Sequence, residues 1–142
     1  HLMLMKAQAN VDFASVQRLV EPLKLPQAHY VLFGSLPLLA HKLIDRVNDI
    51  DILTDNLGWQ YAKTLSSISI SAKGHEVIQV GDIEIYNEWM DMDVAQVISQ
   101  AVFIEGLPFA RLEDVLHYKQ ILNRPKDQIH IKLIQNYQQK EP

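Results

Sequence analysis

Between Tyr30 and Thr54 the chain sets out a strand, a turn, a helix and a second strand, and the residues at the junctions are unusual. Tyr30-Val-Leu-Phe33 is a short apolar run, Gly34-Ser35 follows, and thirteen residues later comes Asp49-Ile-Asp51-Ile-Leu-Thr54. Side chains alternate faces along a strand, so Asp49 and Asp51 point the same way while Ile50 packs inward. Two carboxylates side by side repel unless a cation lies between them. A Gly-Ser turn at a helix start presents backbone N–H groups with no partner inside the helix, which suits a phosphate. A phosphate-binding turn beside paired carboxylates points to Mg²⁺ (or Mn²⁺) and a nucleotide.

The rest of the chain sets the frame for that pair. With 142 residues it is expected to form one domain over residues 1–142, long enough to bury a core without covalent staples. The absence of cysteine excludes a disulfide framework and a thiolate metal site, and suits a reducing cytoplasm, the expected location. A formal charge of -4 argues against broad, non-specific binding to nucleic-acid backbone, although Lys119, Arg124, Lys126 and Lys132 suggest a local basic patch. No apolar run approaches the roughly 20 residues that span a bilayer, so no membrane association is expected.

Periodicity and punctuation give the other elements. Helices are expected over residues 11–23, 36–43, 56–65, 94–99, 112–123 and 126–137, with Asp12, Asp55 or Asn56, and Asp93 near their starts. Strands are expected over 29–33, 49–53, 68–70, 76–80 and 83–86, the last two joined by Gly81-Asp82, and a further small hairpin around Gly106. The class is therefore α/β or α+β. Asp91-Met-Asp93 reads as a helix cap rather than a second metal site, and the histidines at 29, 41, 75 and 117 lack metal-ligand spacing.

Gly-Ser after a strand and Asp-x-Asp are each common on their own; their order and apolar setting give them weight. Together, Gly34-Ser35, thirteen residues and Asp49-Ile-Asp51 resemble the signature of the DNA polymerase β-like nucleotidyltransferase superfamily, in its small stand-alone members. Arg46-Val-Asn-Asp49-Ile-Asp51 is similar to an arginine-led variant of it, with Asn48 where Thr is usual. Leu112-Glu-Asp114 through Lys119, then Asn123-Arg-Pro-Lys-Asp-Gln-Ile-His130, resembles the tail of a bacterial subgroup that includes relatives of abortive-infection-type toxins. Asn123 replaces the subgroup's common Gly. The likeness covers roughly residues 29–134.

This resemblance implies a mixed β-sheet with helices packed mainly on one side, ending in two C-terminal helices. It implies transfer of a nucleoside monophosphate from an NTP to an acceptor hydroxyl, with release of pyrophosphate. Asp49 and Asp51 would hold Mg²⁺ against the triphosphate, and a third carboxylate facing them from a later strand would share a second Mg²⁺ with them. Glu84, between Ile83 and Ile85, is the expected third acid and general base; Glu88, four residues on, is its rival. Gly34 and Ser35 would contact the phosphates. Lys119 reads either as a solvated helix lysine or, by the resemblance, as a catalytic and phosphate-contacting one. Lys126 is a further phosphate candidate. Asp127 is a candidate catalytic acid or merely the cap of the last helix, with His130 expected to orient it by a hydrogen bond. Arg46 would bind phosphate or pair with Asp45 or Asp49, and Trp89 would stack on a base.

The acceptor stays open between a small molecule, a tRNA end and a protein side chain. Two other readings stand beside the enzyme. One is a catalytically silent domain that binds a nucleotide or a partner; the other is the toxin of a toxin–antitoxin pair, with an antitoxin protein as partner.

Overall fold

The computed structural model describes residues 10–140. Asp12 accepts the Ser15 N–H at 2.9 Å and caps helix α1 (Phe13–Val20), which ends in a 3₁₀ turn at Glu21–Leu23 where Pro22 stops the α-helical pattern. Strand β1 (Tyr30–Leu32), fully buried, leads through the Gly-Ser turn into the short helix α2 (Leu36–Ala40), and β2 (Ile50–Thr54) returns beside β1. Helix α3 (Asn56–Ala62) starts at Asp55, whose carboxylate accepts the Gly58 N–H at 3.0 Å and meets His29 Nδ1 at 2.7 Å. Strands β3 (Ile68–Ile70), β4 (Glu76–Val80) and β5 (Ile83–Tyr86) form an antiparallel run. Helix α4 (Val94–Ser99) is capped by Asp93, as expected from sequence. Strands β6 (Val102–Ile104) and β7 (Leu107–Phe109) turn at Glu105-Gly106, both with positive φ. Helices α5 (Leu112–Leu122) and α6 (Pro125–Lys140) are the last elements among the described residues.

Among the described residues the strands form one mixed seven-stranded sheet in the order β3-β4-β5-β2-β1-β7-β6, with β2 parallel to β5, β1 parallel to β7 and the other pairs antiparallel. This is the expected class: a mixed sheet with packed helices, α+β, ending in two helices.

Alternation divides the core into two clusters. Leu32, Ile50, Ile52, Ile83 and Ile85 face one way, with α1 and Trp59 and Ala62 of α3 packed on them. Val31, Phe33 and Leu53 face the other, under α4, α5 and Ile134 of α6. Asp51 and Glu84 lie on this second face by strand alternation. Among the described residues no helix is long and apolar enough to cross a membrane.

Candidate functional site

The site forms where β1 and β2 separate. The Phe33 N–H donates to the Asp51 carbonyl at 2.9 Å, so the strands are still paired as the chain enters the turn. Gly34 then takes φ +61°, a left-handed conformation that L side chains rarely adopt. A Cβ at Gly34 would lie 2.6 Å from Asp51 Oδ2, so the absent side chain is what lets the turn and the carboxylate approach. Ser35 starts α2, and its carbonyl accepts from the N–H groups of Leu38 and Leu39.

The parallel register between β2 and β5 sets Asp51 directly opposite Glu84. Nothing in either strand alone determines that pairing, yet it gives the third carboxylate expected from sequence its place. The Tyr86 hydroxyl, on the same face two residues on, donates to Glu84 Oε2 at 2.9 Å. Burial, then the Glu84 charge, pushes the Tyr86 phenol well above its ordinary pKa, so it remains a donor. Glu88 lies beyond the end of β5, where strand alternation no longer directs it.

A cavity of about 220 Å³ collects these groups. Gly34, Ser35, Asn48, Asp49, Asp51 and Glu84 line it from the sheet side, and Tyr118, Arg124 and Lys126 from the C-terminal helices and the turn between them. Three carboxylates therefore share one space with three cationic side chains, the third being Lys73 from the β3–β4 turn. A second cavity of about 330 Å³ shares Lys73, Glu84, Tyr86, Trp89 and Leu122 with the first, and adds Glu88 and Met90. Trp89 meets Phe33, Tyr86 and Tyr118 edge-on, with ring centroids 5.2, 5.3 and 5.7 Å away.

The donors are all carboxylate oxygens, which suit a hard cation such as Mg²⁺. Among the described residues no three His, Asp or Glu side chains form a set that holds a metal ion by themselves. Magnesium characteristically takes one or two carboxylates and completes its shell with water and substrate phosphate, a demand that Asp49 and Asp51 meet in type and number.

Several residues stand elsewhere than the sequence suggested. Arg46 is exposed, donates to the Asn10 carbonyl at 3.0 Å and does not line the cavity; the Val11–Val47 bridge holds its neighbour against the N-terminal segment. Lys119 and Asp127 do not line the cavity either: both are fully buried, with Nζ 3.5 Å from Oδ1. Lys119 is thus neither a solvated lysine nor part of a surface patch. Asp127 does cap the last helix, as one of its readings held: Oδ2 accepts the Arg124 N–H at 3.0 Å and Arg124 Nε at 2.7 Å. His130 makes no hydrogen bond to Asp127; its Nδ1 is buried without a partner.

Lys73, Tyr86 and Tyr118 escaped sequence reasoning. Tyr86 was accessible to it, two residues from Glu84 on one strand. Lys73 was not, because only the pairing of β4 with β5 carries the β3–β4 turn to this cavity.

A solved structure from Thermotoga maritima, described provisionally as that of a nucleotidyltransferase, is similar in fold. The likeness covers 91% of this chain and 98% of the other, with a TM-score of 0.60 and 17% sequence identity. Neither the family models nor the curated proteins provide a match.

Proposed function

We propose that this chain is a metal-dependent nucleotidyltransferase, moving a nucleoside monophosphate from an NTP to an acceptor hydroxyl. The observation that carries the reading is the cavity itself: Asp49, Asp51 and Glu84 face Lys73, Arg124 and Lys126 beside the Gly34-Ser35 turn, left-handed at Gly34. A triphosphate with a divalent cation needs both signs of charge, and a backbone that can come close. The similar fold of the Thermotoga maritima protein agrees with this reading.

Asp49 and Asp51 would hold Mg²⁺ or Mn²⁺, which when bound supplies charge neutralisation and polarises phosphate oxygens. The Gly34-Ser35 turn, Arg124 and Lys126 receive the β- and γ-phosphates and neutralise the departing pyrophosphate. Glu84, oriented by the Tyr86 hydroxyl, accepts the proton of the acceptor hydroxyl. The acceptor oxygen bonds to the α-phosphorus as the bond from that phosphorus to the β-phosphate bridging oxygen breaks. Trp89 offers an aromatic surface to a base or acceptor from the boundary of the two cavities.

Calorimetric titration of ATP, CTP, GTP and UTP, with and without Mg²⁺, into wild type and Asp49→Asn/Asp51→Asn tests the proposal. Mg²⁺-dependent binding of at least one NTP, lost in the double variant, is expected. A folded wild type that binds none of the four would refute it. The subgroup resemblance adds a toxin role, for which growth arrest on expression, abolished by Asp51→Asn, is the expected result; unimpaired growth at high expression counts against it.

A further inference from the structure

Lys119 has no contact with the candidate substrate cavity, yet its charge is enclosed in the protein beside it. A lysine at 0% exposure carries a large desolvation penalty unless its ammonium is held by specific partners. Those partners are Ser35 Oγ, to which Nζ donates at 3.2 Å, and Asp127 Oδ1 at 3.5 Å. The ammonium also stands 5.3 Å from the Tyr118 ring centroid. Ser35 lines the cavity and Lys119 does not, so the cation reaches the cavity only through that hydroxyl.

A serine hydroxyl has one hydrogen to donate and two lone pairs to accept with. With the ammonium donating to one lone pair, the hydroxyl hydrogen remains for an acceptor on the cavity side, and the adjacent positive charge makes it a stronger donor. Asp127 has a second output. Arg124 Nη2 donates to Oδ1 at 3.1 Å, and Arg124 Nε and N–H donate to Oδ2, so the same carboxylate fixes a guanidinium that lines the cavity.

We propose that Asp127 and Lys119 are positioning residues for polyphosphate binding: Asp127 holds Arg124 directly and orients Ser35 through the buried Lys119 ammonium. The inference rests on the nucleotide reading of the cavity and deepens it. Neither residue touches substrate. Their effect passes through the two cavity-lining donors, which lie 89 positions apart in the chain (Ser35 and Arg124).

The charge state of Lys119 is consistent with this role. Burial lowers its pKa to about 8 against the opposing pull of Asp127, so it is mainly charged at neutral pH. The charged and titratable groups around it are Asp127, Lys126, Arg124 and His130 from α6 and its lead-in, with Tyr118 on its own helix.

The test is a double-mutant cycle read by calorimetric binding of inorganic tripolyphosphate with Mg²⁺ to the full chain. Variants are Lys119→Met, Ser35→Ala, their combination, and Ser35→Thr, which keeps the hydroxyl. Lys119→Met leaves the contacts between Asp127 and Arg124 in place. Lys119→Met and Ser35→Ala are each expected to weaken binding about tenfold, the combination no more than Ser35→Ala alone, and Ser35→Thr to restore most of it. Wild-type affinity retained in Lys119→Met overturns the inference, as does an equal loss from Lys119→Met in both backgrounds, which would mark a general packing role. Absence of tripolyphosphate binding in wild type overturns the nucleotide reading and this inference together. If Lys119→Met fails to fold, pH profiles decide: wild-type affinity is expected to fall as pH rises through about 8, and Ser35→Ala to lack that fall. Parallel profiles overturn the inference.

Discussion

Replacing Gly34 by alanine sets two structural costs against each other and reads them separately. The first is backbone strain: an alanine held at φ +61° costs about 1–2 kcal/mol. The second is contact, since the new Cβ would lie 2.6 Å from Asp51 Oδ2, where ordinary van der Waals contact begins at 3.4 Å. Either the turn or the carboxylate must move by most of the 0.8 Å difference. Gly106→Ala isolates the first cost, because Gly106 has φ +80° and nothing within 4 Å of its added Cβ. In urea denaturation both variants are expected to lose about 1–2 kcal/mol from strain, and Gly34→Ala to lose more. Melting temperatures should fall by about 3–5 °C per kcal/mol for a domain of this size. If Asp51 is the group that moves, Mg²⁺–NTP affinity should drop at least about tenfold, or about 1.4 kcal/mol, in Gly34→Ala and remain unchanged in Gly106→Ala. Equal stability losses with unaltered nucleotide binding in both would refute the claim that the missing Cβ makes room for the carboxylate.

Gly58→Ala should destabilise despite improving helix propensity: the added Cβ would collide with the His29 carbonyl oxygen and lie 3.0 Å from Thr54 Cβ, so an overpacking cost of about 1–3 kcal/mol exceeds a propensity gain of roughly 1. Asp127→Asn leaves the buried Lys119 ammonium facing a neutral amide and should cost about 3–5 kcal/mol at pH 7 in urea denaturation. The Arg124 hydrogen bonds and the Lys119 charge hold the Asp127 carboxyl at about 2 in the folded state, so its contribution is present above pH 3.8 and is lost as pH falls towards 2. His130 is the complementary case. Burial, with Lys119 and Lys126 adding to it, lowers its pKa from 6.5 to about 4, so wild-type stability should decline as pH drops from 6.5 to 4. His130→Phe should lessen that decline in acid melts; an unchanged slope would refute the assignment.

Local chemistry carried a large part of the fold. Asp12, Asp55 and Asp93 cap the helices they precede, because a carboxylate accepting an N–H three residues on is a local interaction. The strands at 68–70, 76–80 and 83–86 lie where alternation and turn residues put them. Helix ends were less legible: α2 stops at Ala40 and α3 at Ala62, short of the apolar pattern. Some apolar residues beyond those ends, such as Ile44 and Leu65, pack against the core without being helical, so periodicity overran the helix.

The candidate site divides along the same line. Gly34, Ser35, Asp49 and Asp51 could be marked from sequence because a left-handed turn needs glycine and a strand over 49–53 would put both acids on one face; β2 begins only at Ile50, yet Asp49 just before it still lines the cavity with Asp51. Glu84 could be nominated, but its place opposite Asp51 depends on the register of β5 against β2, a pairing across thirty-three positions of chain. Burial removed the solvated reading of Lys119, while Arg46, exposed and bonded to the Asn10 carbonyl, lies outside the cavity lining. A mid-helix lysine looks solvated until α6 packs on α5 and encloses its ammonium with Asp127, and an arginine next to the paired acids looks like a phosphate ligand until the Val11–Val47 bridge draws its segment away. Sequence determined which residues have suitable local geometry and chemistry, because backbone conformation, capping and alternation act over a few residues. Tertiary structure alone decided which of them share a cavity and which are sealed beneath it, because desolvation and cross-strand register depend on segments far apart in the chain.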